Sequence, residues 1–122
     1  MARVVNIEQC FARFSDTFSP KIVGELNGQH VKLVHLEGDK VPWHTHDHED
    51  ELFWVVEGAL EVHERGASVT LHAGEFCIVP RCREHRVVPQ GHVKLILLEP
   101  KGIAHTGNVR AEITKDNYEW LE

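Results

Sequence analysis

The chain has 122 residues, the length of one domain at roughly 150 residues per domain, and its 42% apolar and 26% charged composition is ordinary for a globular protein. Nineteen acidic against thirteen basic side chains give a net charge of −6, which argues against nucleic-acid phosphate as a partner. The longest apolar run, Leu52 to Val56, falls far short of the ~20 residues of a membrane span.

The N-terminus, Met1 to Glu8, has no apolar signal core, and Cys10, Cys77 and Cys82 form no CxxC pair, so free thiols in the cytoplasm are expected. Asn6 followed by Gln9 has the form of a helix cap, and Ile7, Phe11, Phe14 and Phe18 recur at helical spacing. A short helix is predicted over 6–14 within an N-terminal segment 1–20, its phenylalanine stripe packed on the body, with Ser19-Pro20 as the stop. Beyond Pro20 the rhythm becomes short alternating runs broken by turns. Asn27-Gly28 predicts a hairpin between 21–26 and 29–36. In the second run Val31, Leu33 and His35 alternate with Lys32, Val34 and Leu36; Lys32 is expected in water, which turns His35 inward. Further runs follow at 51–56, 60–64, 67–71, 75–79, 85–88 and 92–98, separated by Gly58, Arg65-Gly66 and His72-Ala-Gly74. Many short strands at regular spacing predict one all-β domain, a sandwich or barrel with its core over 21–98. Residues 99–122 are weakly periodic and read as a tail docked through Tyr118 and Trp120.

Ten histidines are the unusual feature, since histidine is the commonest metal ligand. They concentrate in two patterns. The first is Gly38-x5-His44-Thr-His46-x4-Glu51-x6-Gly58; residues two apart in an extended segment point to one face, and Glu51 shares the parity of Phe53 and Val55. The second is Gly74-x5-Pro80-x4-His85, which delivers another histidine at the start of a strand. Three imidazoles and one carboxylate from different strands suit a metal centre with open positions.

Over roughly residues 30–98 these patterns resemble the two motifs of the cupin superfamily, in its small single-domain form. The resemblance implies a jelly-roll barrel, or double-stranded β-helix, with one divalent metal held by His44, His46, Glu51 and His85. The metal would be iron, manganese, zinc, nickel or copper. Cys82 stands where the family usually has glycine, and Pro89 where it usually has asparagine; neither is a ligand position. Such cupins generally pair through a sheet, so a homodimer is expected on the outward row of Leu52, Trp54 and Val56 with Ile96 and Leu98.

Other residues are candidates for contacts that hold a ligand side chain in place or touch substrate. His35 is either that or a hydrogen-bonded interior histidine. Trp43 either walls the pocket or covers the barrel end. Arg81, Arg83 and Arg86 flank His85 and either ring the mouth, where guanidinium suits carboxylate or phosphate, or form a solvated rim paired with Glu84. His48 and Asp50 read as acidic-loop surface. The functional expectation is a metal-dependent enzyme of dioxygenase or isomerase type, acting on a small polar or anionic molecule. The alternative is a non-catalytic module that binds or senses a small molecule or metal.

Overall fold

The computed structural model describes residues 1–102, 106–114 and 117–121, so part of the expected 99–122 tail lies outside the described residues. A short helix α1 (Ile7–Phe11) precedes β1 (Lys21–Leu26), β2 (Gln29–Leu36), β3 (Glu51–Glu64), β4 (Ala67–His72), β5 (Phe76–Val79), β6 (His85–Pro100) and β7 (Glu119–Trp120). The sheet runs β4-β3-β6-β2-β1-β7, with β5 also pairing with β3. This is the expected all-β architecture. Among the described residues no helix is long and apolar enough to cross a membrane.

Two long strands set the geometry. β3 and β6 pair antiparallel from Leu52↔Leu98 to Glu64↔His85, with register shifts on either side of Glu57. On its other edge β3 pairs first with β5 and then with β4, the change of partner falling near a bend at Gly58. Gly58 has φ +89, and a Cβ there would lie 2.5 Å from the His92 carbonyl oxygen, so only glycine fits the bend. The inner face of this curved sheet holds Phe53, Val55, Leu60, Val62, Val93, Leu95 and Leu97, among others, as the main core.

The predicted helix is shorter than 6–14. Asn6 caps it, accepting from the Gln9 N–H at 2.9 Å, but it ends at Phe11. The Phe18 N–H instead donates to the His35 carbonyl, which draws 17–18 alongside β2 and turns Phe18 into the main core. Phe11 heads a second cluster with Val23 and Leu33, against which Val5, Ile7, Phe14, Val56 and Ile96 pack. The N-terminal segment therefore covers the outer face of the sheet.

That cover corrects the reading of β2. Val34 and Leu36 face the barrel interior, and Leu33 faces Phe11 on the outside. His35 is buried on the outer side: Nε2 donates to the Phe11 carbonyl at 3.1 Å, Nδ1 lies 2.8 Å from His92 Nε2, and the ring meets Phe11 and Phe14 edge-on. Lys32, expected in water, is fully buried, its Nζ 3.0 Å from Glu99 Oε1 and 3.7 Å from the Tyr118 ring centroid. Burial and the charge of Glu51 push the Glu99 carboxyl up to about 7 against the pull of Lys32.

The pair has an asymmetric energetic consequence. Glu99→Leu strands a buried ammonium and is expected to cost about 3–5 kcal/mol in urea unfolding at pH 7. Lys32→Met should cost clearly less, because Glu99 can take up a proton, and the double substitution should recover most of the Glu99→Leu loss. Equal losses in the two single variants would contradict this account.

Candidate metal centre

The segment carrying His44 and His46 belongs to no strand and is pinned by its backbone. His44 and His85 exchange backbone hydrogen bonds, each N–H donating to the other's carbonyl at 2.9 Å. The Cys82 N–H donates to the His46 carbonyl at 2.8 Å, and Cys82 takes φ 66 to do so. A side chain there carries the left-handed penalty of about 1 kcal/mol that glycine would avoid. Glu51 opens β3 and His85 opens β6, so the long strands deliver the other two groups.

The structure brings all four together. One nitrogen or oxygen from each of His44, His46, Glu51 and His85 lies within 4.8 Å of the others, and all four residues are buried. Glu51 Oε1 is 3.0 Å from His85 Nε2 and 3.2 Å from His46 Nε2, the latter too poorly aligned to be a hydrogen bond. Each ring is oriented through its other nitrogen. His44 Nδ1 donates to the Pro42 carbonyl at 2.8 Å, His85 Nδ1 to the Arg83 carbonyl at 2.9 Å, and His46 Nδ1 to Glu49 Oε1 at 2.7 Å. A carbonyl can only accept, so Pro42 and Arg83 fix the tautomers of His44 and His85, the Glu49 carboxylate does the same for His46 by accepting from Nδ1, and Nε2 of each ring is left to the centre.

Does this set fit a metal? His44 Nε2 and His46 Nε2 are buried without a hydrogen-bond partner, a costly state that an ion between them would relieve. Imidazole nitrogens with one carboxylate suit the borderline divalent ions from manganese to zinc, and against M²⁺ they leave a net charge of +1. The residues fit. Burial pushes His44 down to about 4, so it is a free base at neutral pH. Burial opposes charge on His46 as well, but Glu51 and Glu49 outweigh it and raise that imidazole to about 9. Burial would raise Glu51, yet His46 and His85 hold it down, at about 2.

A small cavity of about 30 Å³ opens beside His44 and Glu51, and its other walls are apolar, among them Phe18, Val41, Phe53 and Ile113. Of the further candidates, none is beside the cluster in this way. His35 lies under α1. Arg81 pairs with Asp50 at 3.2 Å and Arg83 with Glu64 at 3.4 Å. Arg86 Nε donates to His63 Nδ1 at 3.2 Å and lies 5.1 Å from the Trp43 ring, whose closer neighbour is the Arg65 guanidinium at 3.9 Å. Glu84 pairs with Arg65, not with the three arginines. Trp43 lines a separate surface groove with His63 and Arg65. Glu49, which accepts from His46 Nδ1, is a residue the sequence reading passed over; its position three residues after His46 was the available signal.

A cupin domain family model matches residues 32–106. None of the curated proteins compared with the chain matches it. Among solved structures, a cupin-2 domain containing protein from Shewanella frigidimarina is 36% identical, with 80% of this chain and 95% of that chain covered and a TM-score of 0.78. Protein NMB1881 from Neisseria meningitidis is 31% identical, covering 81% of this chain and 100% of that chain at a TM-score of 0.73. KdgF from Halomonas sp. is 26% identical over 67% of this chain and 77% of its own, with a TM-score of 0.58.

The ion pair predicts how metal uptake depends on pH. Without metal, His46 holds a proton up to about pH 9, and that proton must leave before Nε2 can ligate. Affinity should therefore rise about tenfold per pH unit between pH 7 and 9 and flatten above, with one proton released per ion. Calorimetry in buffers of different ionisation enthalpy measures this; constant affinity from pH 7 to 9 would contradict it. The simpler expectation from an unperturbed imidazole, loss only below about pH 6, is shifted upward by Glu51.

Proposed function

Because the chain belongs to the cupin family, we propose that it is a metal-dependent enzyme of the oxidoreductase or isomerase class, acting on a small molecule that meets the metal through an oxygen. The observation that carries this reading is the convergence of three oriented Nε2 atoms and Glu51, two of those nitrogens buried and unpartnered. His44, His46, Glu51 and His85 would hold the ion, which would supply polarisation of a substrate oxygen, and oxygen chemistry if it is iron, copper or manganese. Glu49, Pro42 and Arg83 hold the rings in place through Nδ1. Phe18, Phe53 and Ile113 give the adjoining cavity an apolar wall beside the point where a polar or anionic oxygen would meet the ion. Arg81, Arg83 and Arg86 are engaged elsewhere, so selection rests on the metal and the apolar wall.

A second reading has one observation in its favour. The cavity, at about 30 Å³, is far smaller than the roughly 300 Å³ at which ligand pockets begin, which suits a module that binds or senses metal without turnover. Elemental analysis of protein expressed with iron, manganese and zinc in turn, followed by oxygen-uptake and isomerisation screens, separates the two. One metal per chain with turnover supports the enzyme, and metal without turnover supports the sensor. Full metal content in His44→Ala/His46→Ala would contradict both.

The homodimer is also proposed, on a narrower face than the sequence suggests. Val56 and Ile96 already pack against the N-terminal segment. Trp54 remains 42% exposed, and on the neighbouring strand Phe76 and Ile78 are exposed in register with Trp54 and Leu52. The same face of a second copy would cover this apolar patch. Sedimentation at micromolar concentration should give twice the chain mass, and Trp54→Lys should give single chains. A monomeric wild type would end the proposal.

A further inference from the structure

The ligand segment has a third tether, and it comes from the far end of the chain. Between His44 and His46, the Thr45 N–H donates to Asn108 Oδ1 at 2.9 Å, and the Asn108 N–H donates to the Thr45 carbonyl at 3.0 Å. The Thr45 N–H belongs to the peptide plane joining Thr45 to His44, and its carbonyl to the plane joining it to His46. One residue thus fixes both peptide planes that separate the two ligand residues.

The turn that carries Asn108 is itself built. Thr106 is fully buried, with its hydroxyl 2.6 Å from the Thr114 hydroxyl, which also accepts from the Ala111 N–H at 2.9 Å. The Val109 N–H donates to the Thr106 carbonyl at 3.1 Å. Gly107 has φ +56, and a Cβ on it would run into the Thr45 carbonyl and stand 2.9 Å from His44 Cδ2. The turn therefore lies against the ligand ring and its backbone at a distance only glycine permits.

We propose that Asn108 is a positioning residue of the metal centre, setting through Thr45 the angle at which His44 and His46 present their Nε2 atoms. The proposal rests on the metal reading above. Imidazole Nε2 stands several bonds from the backbone, so a small rotation of either peptide plane is amplified at the ligand atom. The Nδ1 bonds fix each ring against its own surroundings, and the Asn108 pair fixes the two rings relative to each other. A tail turn with only a packing role would affect melting temperature and leave metal affinity alone.

Zinc titration of the full chain against a chromophoric chelator tests this. Asn108→Ala should weaken zinc binding about 10- to 100-fold, the range of other residues that orient ligands. Asn108→Asp, which keeps an acceptor for the Thr45 N–H, should restore most of that loss. Gly107→Ala should weaken binding with Asn108 intact. Asn108→Ala binding zinc as the wild type does overturns the proposal, whatever its melting temperature. Wild type that binds no zinc would instead remove the metal reading. Amide hydrogen exchange at Thr45 in metal-free wild type then decides the tether on its own, and does so too if Asn108→Ala does not fold: protection supports it, and unprotected exchange overturns it.

Discussion

Three imidazoles and a carboxylate converge on one point in the barrel, nearly closed off from water, and a cation among them would offset the cost of that burial. A proton is one such cation. Without metal the proton sits on His46, held by Glu51 and Glu49, and Glu51 stays ionised in an environment that would otherwise neutralise it. A metal ion would be the better occupant, because it would also satisfy His44 Nε2, which is buried without a hydrogen-bond partner. The fold can be understood as the means of holding these four groups close despite the cost of keeping them dry.

The long β3 and β6 strands do most of this. Glu51 opens β3 opposite Val79 of β5, and His85 opens β6 opposite Glu64 at the far end of β3, so it is the curvature of β3 at Gly58 that lets the two groups meet. The ligand loop is left to irregular chain, and irregular chain needs tethers. His85, Cys82 and Asn108 supply them from β6, from the turn before it and from the tail. Cys82 holds a left-handed conformation to make its bond, so the loop geometry is maintained against local strain.

Much of the site was legible in the sequence because its information is local. His44 and His46 stand two apart in extended chain, Glu51 shares the parity of the core residues Phe53 and Val55, His85 opens a strand, and Gly38 and Gly58 mark turns. β2 was misread for a physical reason. Alternation tells inside from outside only where one face meets water, and here α1 and Phe14 cover the outer face, so Leu33 and His35 are as dry as Val34. Lys32 was assigned to solvent by its charge, and nothing local announces that Glu99, sixty-seven residues away, awaits it. The helix stops at Phe11, and beyond it Thr17 and Phe18 run beside β2 with the Phe18 N–H on the His35 carbonyl, a tertiary bond that no local stripe announces. Glu49 and Asn108 stayed hidden likewise: their roles depend on where a loop and a tail arrive, which no periodicity encodes.

The most direct test of the account is the position of the ion itself. A crystal of metal-loaded protein, measured at and away from the absorption edge of the metal, gives an anomalous-difference map independent of any assumed ligand. The account predicts one strong peak about 2.0–2.2 Å from Nε2 of His44, His46 and His85 and from a carboxylate oxygen of Glu51. Strong peaks confined to other histidines, such as His30 or the exposed His72, with none among those four residues, would contradict it.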